Sequence, residues 1–355
     1  MRDWTLRTKL LLAFLVVVTI SGVVTTVAGS YLFRTMVMSE ALRRVELDLR
    51  AARATYDQVL RQSERLAWTL AEMGARRCTE GEGLCQDMLD RTSARFDLDW
   101  LQCCDADGTV VLSASGSSIG HSALGGEVVR IAMDEHRPVS GTQLIPVEDL
   151  ARERPKVGES AHVTIQPTPR AKPGGPEELH HGMCLIGAAP MLGLDGELLG
   201  AVIAGKLLNR NFDLVDEIQS TVFRTTWVNA KSLGTVTVFQ GDVRVATNVT
   251  DPTGHRAIGT RVSEEVYDRV LREGKPWLGN AFVVDTWYIS AYEPIRDVQS
   301  KIIGMLYVGI LRDWYNAIQR KVVLTFVLLG LMAAVAAAVA STWLATRLIR
   351  PIRRL

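Results

Sequence analysis

The stretch 235–247, TVTVFQGDVRVAT, decides the fold of the chain. Its β-branched and aromatic residues lie on both sides of a Gly-Asp pair at 241–242, and such pairs are typical of the tight turn in a β-hairpin. The stretch 100–113, WLQCCDADGTVVLS, has the same pattern around an Asp-Gly pair at 107–108. Each stretch therefore predicts two antiparallel strands joined by a short turn.

The likeness between the two hairpins continues downstream, so the sequence contains an internal repeat. An amphipathic helix is predicted after each hairpin, at 127–136 in the first copy and at 263–273 in the second. Each copy then ends with a proline that is followed, at the same spacing, by two glycines in a strand-like segment. These residues are Pro190, Gly200 and Gly205 in the first copy and Pro294, Gly304 and Gly309 in the second.

The two copies differ by an insertion of about 34 residues in the first copy. The insertion lies between Gly141 and Pro190, is rich in proline, and is predicted as a long loop with one short strand at 162–166. A helix predicted at 207–223 links the two copies. Each copy is thus a small antiparallel sheet flanked by helices, and the predicted fold class is α+β with two PAS-like modules.

Two segments without charged residues, 10–33 and 322–346, are each long enough to cross a bilayer as a helix. Basic residues precede the first segment and follow the second, which predicts that both chain termini are cytoplasmic and that residues 34–321 are extracytoplasmic. A cleaved signal peptide is the alternative for the first segment, because residues 26–28 resemble a cleavage site.

Residues 38–73 carry apolar side chains three and four positions apart over several heptads, which predicts a long helix continuous with the first span. Two interpretations of this seam stay open: it pairs with a second copy in a homodimer, or it packs on the modules of its own chain. The seam consists of Leu42, Val45, Leu49, Ala52, Tyr56, Val59, Ser63, Leu66, Leu70 and Met73.

These segments give a domain organisation with seven parts. The predicted order is a cytoplasmic N-terminus (1–9), a first transmembrane helix (10–33), a long helix with a cysteine-containing loop (34–94), a membrane-distal module (95–223), a membrane-proximal module (224–321), a second transmembrane helix (322–346) and a cytoplasmic segment (347–355).

The five cysteines give one disulfide prediction. Cys78 and Cys85 flank a short polar loop, and in an oxidising compartment they are predicted to form a bridge. Cys103 and Cys104 are adjacent on a predicted strand, so their side chains should point to opposite faces of the sheet. One of these two could then reach Cys184.

Composition and motifs exclude several function classes. The net charge of +1 gives no electrostatic basis for nucleic-acid binding. The six histidines lack the i, i+4 helical spacing of a metalloprotease, and the Asp-rich turn at 105–108 lacks the downstream glycine and glutamate of an EF-hand calcium loop. No glycine-rich phosphate loop occurs. The sequence therefore predicts no catalytic residue, no metal and no cofactor.

The chain resembles the extracytoplasmic double Cache sensors of bacterial histidine kinases and chemoreceptors, in the variant that joins a Cache 3 to a Cache 2 module. The segment at 348–355, LIRPIRRL, resembles the opening of a HAMP domain. Four further segments carry the resemblance: LLNRNFDLVDEI at 207–218, RAIGTRV at 256–262, GNAFVVDTWYISAYEPI at 279–295 and GMLYVGI at 304–310.

This resemblance implies a two-pass receptor of the bacterial inner membrane, in contact with lipid and usually a homodimer. Its ectodomain would bind a small molecule and pass a helix displacement to a cytoplasmic signalling partner. The sensory part of a two-component histidine kinase is the first expectation, and a methyl-accepting chemotaxis receptor is the alternative. A membrane-anchored extracytoplasmic enzyme is a third class, for which the sequence shows no signature.

Aromatic and basic residues concentrate in the second copy, and we predict a ligand pocket there for a small anionic metabolite, most simply a carboxylate. Aromatic walls suit a small pocket, and a guanidinium can hold a carboxylate by two parallel hydrogen bonds. The alternative is that these side chains are core and helix-packing residues. The predicted site residues are Arg256, Arg261, Trp277, Phe282, Trp287, Tyr288 and Tyr292. A pocket in the first copy is the other possibility, with His121, Arg130 and Lys206 as its candidates.

Overall fold

The structure is a computed structural model that describes residues 6–79, 84–223, 227–228, 231–232 and 234–352. The chain divides into two compact units. One unit is Arg44–Leu311, and the other combines Met1–Arg43 with Arg312–Leu355.

Two long helices occupy the ends of the described chain. Helix α1 is Leu6–Thr79 and helix α8, the last, is Arg312–Ile352. Each is long and apolar enough to cross a membrane, over stretches that fall within Val16–Arg77 and Gln319–Ala340. Helix α1 continues from the first predicted span without a break, as the sequence indicated, and it passes Gly74, where the predicted helix ended.

The first copy of the repeat forms a five-stranded antiparallel sheet with the strand order β2-β1-β7-β6-β3. The hairpin predicted at 100–113 is confirmed as its β1-β2 pair. The strands of this sheet are β1 (Trp100–Cys104), β2 (Val110–Ser113), β3 (Val139–Pro146), β6 (His181–Leu192) and β7 (Leu198–Leu207).

The second copy forms another five-stranded antiparallel sheet, with the order β11-β10-β14-β13-β12. Its strands follow the same path as those of the first sheet, so the internal repeat and the α+β fold class are confirmed. Both β1-β2 and β10-β11 contain a register shift at equivalent positions, after Cys103 and after Val238. The strands are β10 (Gly234–Gln240), β11 (Val243–Thr247), β12 (Trp277–Val283), β13 (Thr286–Arg296) and β14 (Ile302–Leu311).

Shorter helices and strand pairs complete the described fold. The linking helix begins five residues later than predicted, because the Asn211 side chain caps it by accepting a hydrogen bond from the Leu214 N–H (3.1 Å). The helices are α2 (Gln86–Arg95), α3 (Gly126–Asp134), α6 (Phe212–Val222) and α7 (Glu264–Tyr267), which continues as a π-helical turn (Asp268–Arg272). A small strand pair consists of β8 (Trp227–Val228) and β9 (Lys231–Ser232).

The insertion in the first copy differs from its prediction. Its first part holds helices α4 (Val147–Glu153) and α5 (Pro155–Ala161), which were not predicted. The predicted short strand is present as β4 (Val163–Thr164), which pairs with β5 (Glu178–Leu179), and the segment between these two strands is a loop. Proline usually breaks a helix. Pro155, however, is in the first turn of α5, where the missing N–H has no helical partner to lose.

Helix α1 packs on the two sheets of its own chain. Its backbone passes so close to β6 that a Cβ on Gly187 would collide with the backbone of Ser63 and Glu64. Tyr56 is buried and its hydroxyl lies 2.7 Å from Thr142 Oγ1 on β3. Packing of the seam on the chain's own modules is therefore confirmed for its buried members, which are Val45, Leu49, Ala52, Tyr56, Ser63 and Leu70. The homodimer stays a prediction.

The cysteines follow their predictions in part. Cys103 and Cys104 belong to cores on opposite faces of β1, as strand geometry requires. Neither can reach Cys184, because β7 pairs with Cys104 at Ala201 but with Cys184 at Leu207, six residues further along. That separation is about 20 Å along a strand. All three of these cysteines are buried, and none of them forms a disulfide within the described part of the chain.

The predicted bridge between Cys78 and Cys85 is untested. Cys85 is exposed and free, and the Cys78 side chain lies outside the described part of the structure. The bridge therefore stays a prediction, which peptide mapping of the exported protein without reductant will decide.

Candidate ligand-binding site

One face of the second sheet carries large polar and aromatic side chains that alternate along its strands. Strand register fixes this arrangement, because every second residue of a strand points to the same face. Tyr292 on β13 lies opposite Tyr307 on β14 and Trp277 on β12, while Phe239 on β10 lies opposite Arg244 on β11. We call this surface the tyrosine face; its members are Phe239, Arg244, Trp277, Tyr288, Ser290, Tyr292 and Tyr307.

Arg244 is the one arginine among the largest fully buried side chains of the described structure, with 2% of its surface exposed. Its guanidinium lies over the ring of Phe239, with Cζ 5.1 Å from the ring centroid, and its Nη1 donates to the hydroxyl of Thr260. The Nε–H has no hydrogen-bond partner, and no carboxylate of the described residues forms an ion pair with this guanidinium. Burial lowers the pKa of Arg244, since desolvation disfavours the charged form.

Three tyrosines pack beside Arg244. The ring centroids of Tyr292 and Tyr307 are 4.7 Å apart, and the Tyr307 hydroxyl lies 3.0 Å from Thr235 Oγ1. Burial raises the pKa of Tyr288, Tyr292 and Tyr307. These phenols therefore stay neutral at physiological pH and keep their O–H groups, of which that of Tyr307 is already engaged with Thr235.

Two further polar atoms on this face lack a partner. Ser290 is fully buried, and neither its Oγ nor the buried Nε1 of Trp277 makes a hydrogen bond within the described structure. An unpaired buried donor costs free energy, so each such atom calls for an explanation. With the Arg244 Nε–H on β11, they are unpaired donors on β13 and β12 of the same face of the sheet.

A loop at 256–264, which we call the roof, covers the Arg244 end of the tyrosine face. The Arg244 backbone N–H donates to Thr260 O (2.9 Å), and its carbonyl accepts from the Gly259 N–H (2.9 Å). Gly259 has a φ of +82°, and a Cβ there would collide with Thr164 O of the insertion. The roof is thus fixed both to the site arginine and to the insertion.

The part of the insertion that meets the roof is an arm at 164–175. Gln166 N–H donates to Gly259 O (2.9 Å), and the Arg261 N–H donates to Thr168 Oγ1 (2.9 Å). A third bond runs from the Glu264 N–H to Arg170 O (2.8 Å). A segment of the first copy therefore closes over the site of the second.

The two arginines predicted to bind the anion are engaged elsewhere. Arg256 makes a bidentate ion pair with Asp216 on α6, at 2.9 and 2.6 Å. Arg261 donates through Nε to Asp242 (2.7 Å) and through Nη1 to carbonyls of the arm at Lys172 (2.9 Å) and Gly174 (2.5 Å). Both guanidiniums therefore hold the roof in place through these contacts. Neither of them lies among the tyrosines.

The five predicted aromatic residues fall on two faces. Tyr288 and Tyr292, which alternate along β13, lie on the tyrosine face together with Trp277 on β12. Phe282 and Trp287 occupy the alternate positions and stack edge to face at 5.7 Å. Arg170 of the arm lies over both of these rings, with Cζ 5.2 and 4.8 Å from their centroids.

The candidates in the first module do not come together. His121 is exposed and lines an open cleft of about 630 Å³, whereas Lys206 lines a different cleft and pairs with Asp97 at 2.7 Å. Arg130 is exposed, and its guanidinium is bound by carboxylates of its own helix. These three residues form no common site.

Sequence reasoning missed Arg244, Phe239 and Tyr307. One signal was present: Arg244 stands between valines in a strand whose other residues are apolar or small, so its side chain had to enter a buried face. The aromatic residues of β10 and β14 gave no such signal, because single aromatics in strands are ordinary core residues.

Comparison with known proteins agrees with this architecture. Residues 206–322, about a third of the chain, match the family described as single Cache domain 3. This part of the chain is similar to a Cache domain. Two candidate membrane helices flank this region. No curated protein matches the sequence.

Solved sensor domains are among the structures to which the chain is similar, at low sequence identity. The periplasmic domain of Vibrio cholerae LuxQ is 12% identical, with a TM-score of 0.42 over 76% of this chain and 98% of its own. The V. cholerae DctB histidine kinase sensor domain is 10% identical, with a TM-score of 0.40 over 78% and 98% of the two chains. The ligand-binding domain of the Pseudomonas aeruginosa chemoreceptor PctB is 14% identical, with a TM-score of 0.36 over 79% and 97%.

Proposed function

We propose that the chain is the extracytoplasmic sensor and membrane part of a two-component histidine kinase, and that it binds a small carboxylate on the tyrosine face of its second module. The observation that carries this proposal is the buried guanidinium of Arg244, which has no carboxylate partner among the described residues. The ligand residues are Arg244, Tyr288, Ser290, Tyr292 and Tyr307.

A carboxylate ligand would satisfy the electrostatics of this face. A buried charge without a counter-charge destabilises the fold by several kcal/mol, roughly 3–5 when a pair is broken. A carboxylate accepts two hydrogen bonds from a guanidinium and further bonds from hydroxyls, which are the donors that the tyrosine face offers. The rings of Phe239 and Tyr292 would cover the apolar part of such a ligand.

This proposal replaces the anion-binding role predicted for Arg256 and Arg261. Their carboxylate partners already neutralise them, so a ligand would have to displace Asp216 or Asp242. Both residues keep a supporting role, because they hold the roof that closes over Arg244.

The strand order supports a route for the signal. Tyr307 is on β14, which ends at Leu311, and α8 begins at the next residue. Movement of β14 on ligand binding would therefore be transmitted directly to α8. The helix displacement proposed for this receptor class needs only this connection.

Ligand binding is tested by thermal unfolding of the full chain in detergent micelles, with a panel of small mono- and dicarboxylates and amino acids. A ligand present at 100 times its Kd adds about 2.7 kcal/mol to the free energy of unfolding. Arg244→Met should abolish this stabilisation, and Arg256→Met serves as the matched control on the same module. Loss of the response in Arg256→Met but not in Arg244→Met would overturn the proposed site.

Membrane topology is a further part of the proposal. Basic residues outside the two spans support cytoplasmic termini and an extracytoplasmic segment at 34–321. The proposal includes a homodimer in the inner membrane of a bacterium. Single cysteines placed at Lys172 and Arg353 test the orientation by labelling of intact cells. A label on position 353 from outside would contradict it.

The output class is tested by the sequence encoded downstream of Leu355. The kinase proposal expects the rest of a HAMP domain, then a phosphoacceptor histidine and ATP-binding motifs. A long heptad helix with a hairpin tip would instead identify a methyl-accepting chemotaxis receptor.

A further inference from the structure

We infer that the first module contains a carboxylate-binding site, and that the chain fills it with its own Glu153. Glu153 is the last residue of α4 in the insertion, and only 1% of its surface is exposed. No arginine, lysine or histidine of the described residues forms an ion pair with it. A carboxylate buried this deeply requires other polar partners.

Four neutral donors surround the Glu153 carboxylate. Oε1 accepts from Ser113 Oγ (2.6 Å) and Ser115 Oγ (2.8 Å), and Oε2 accepts from Gln102 Nε2 (2.7 Å) and from the Ser118 hydroxyl. Each oxygen therefore receives two hydrogen bonds, which is the full complement of an ionised carboxylate. Such charge-assisted bonds are about twice as strong as bonds between neutral groups.

The donors are held in place by the first module itself. Gln102 is on β1, and its Oε1 accepts from the Leu124 N–H (2.9 Å), which fixes the amide with its NH₂ toward Glu153. Ser113 is on β2 and accepts from the Ser115 N–H (3.2 Å). These four donors, which we call the cradle, therefore belong to the module, whereas the carboxylate is carried by the insertion.

Register places this cradle on the face that corresponds to the tyrosine face. Gln102 lies opposite Ser113 on one side and Ile203 on the other. In the second sheet the equivalent residue, Thr237, lies opposite Thr247 and Tyr307. Glu153 thus occupies in the first module the region that adjoins the proposed ligand site in the second.

The second copy lacks the insertion and so lacks an equivalent of Glu153. The cluster of donors in the first module is therefore occupied by a tethered carboxylate. This inference is independent of the role proposed for Arg244, because none of its donors contacts that residue.

The inference is tested by removing the Glu153 carboxylate and supplying free acetate in its place. Glu153→Ala removes a CH₂ group and a carboxylate, which together have the size of acetate. In the full chain in micelles, Glu153→Ala should lower the Tm by about 5–10 °C. Sodium acetate should recover about half of that loss in a saturable way, whereas sodium chloride at the same ionic strength should not.

Leu150→Ala is the matched control, because Leu150 is on the same helix and fully buried but has no hydrogen-bond donors around it. Its Tm should fall by a similar amount without any response to acetate. An equal acetate response in Leu150→Ala, or none in Glu153→Ala, would overturn the inference. Glu153→Gln keeps the volume but turns an NH₂ group toward the donors, so its Tm should fall without acetate rescue. If Glu153→Ala does not fold, a wild-type Tm in Glu153→Gln overturns the inference instead.

Discussion

The two sheets share a path and differ in the chemistry of one face. In both, a Cβ on the glycine at the start of the last long strand would collide with a carbonyl of the first strand: Gly200 with Cys104 O, and Gly304 with Phe239 O. At six positions the first sheet carries small or aliphatic side chains where the second carries aromatic or polar ones, although Trp100 and Gln102 share this face of the first sheet. Equivalent pairs are Val110 and Arg244, Cys104 and Phe239, Ile203 and Tyr307, Ala188 and Tyr292, Ile186 and Ser290, and Cys184 and Tyr288.

This difference teaches that backbone path and site chemistry are set by separate residues. Glycines and hairpin turns fix the path, because few other residues fit their conformation or their close contacts. The face residues are free to change as long as the volume above the sheet stays filled. In the first module Glu153 and its donors fill part of that volume; in the second it holds Arg244 and the tyrosines.

The largest expected effect concerns the contact of each sheet with α1. Gly187 and Ala291 are at equivalent positions; Gly187 lies so close to the α1 backbone that a Cβ would collide with it, whereas position 291 already carries a Cβ. Gly187→Ala should therefore destabilise the chain by about 2–4 kcal/mol, because a backbone cannot move aside as a side chain can. The reverse exchange, Ala291→Gly, should cost about 1 kcal/mol. Urea unfolding of both variants measures this, and equal effects would contradict the asymmetry.

The second expected effect separates the two arginines of the second module. Without ligand, Arg244→Met removes an unpaired buried charge and should stabilise the fold by about 1–3 kcal/mol. Arg256→Met leaves Asp216 without its partner in a half-exposed pair and should destabilise by less than about 1 kcal/mol. Urea unfolding without added ligand compares the two variants. Destabilisation by Arg244→Met would mean that this charge has a partner in the folded chain.

The third effect is a pH dependence of the free energy of unfolding. It concerns Asp48 on α1, which precedes Arg53, the residue paired with Glu293 on β13. Burial raises the pKa of Asp48 from 3.8 to about 6, although Arg44 opposes the shift. The folded state therefore holds this proton more tightly than the unfolded state, and the associated stability is present below pH 4 and lost as the pH rises through 6.

Asp48→Asn should accordingly stabilise the chain by about 2 kcal/mol at pH 7.5 and flatten the stability profile between pH 4 and 6. Glu46→Gln, at an exposed position of the same helix, is the control and should leave that profile unchanged. A profile that keeps its slope in Asp48→Asn would show that another group titrates there.

The smallest expected effect concerns the arm of the first module on the roof of the second. Thr168→Val removes the acceptor of the Arg261 N–H and should destabilise by about 0.5–1.5 kcal/mol. Thr164→Val is the control, because that side chain is exposed. Amide hydrogen exchange at 256–264 should speed up in Thr168→Val only. Unchanged exchange would show that the arm does not hold the roof.

Sequence alone determined the repeat, the two hairpins, the two apolar helices and the apolar 3-4 spacing along α1. Each of these depends on short-range physics: the alternation of a strand, the 3-4 spacing of a helix, or a turn that glycine permits. Part of the tyrosine face was predicted, because the shared face of Tyr288 and Tyr292 follows from alternation along a single strand. Arg244, Phe239 and Tyr307 were not predicted.

Only the tertiary structure decided which charged groups have partners. Arg256 meets Asp216, and Glu153 meets Ser113, each across 40 residues of sequence. Arg244 meets no carboxylate among the described residues. Such pairings depend on where distant segments come together, and arginines in one sequence pattern can be neutralised or left unpaired by that packing. The fold could therefore be predicted from local patterns, whereas the choice of Arg244 over Arg256 and Arg261 as the ligand-binding arginine required the packed structure.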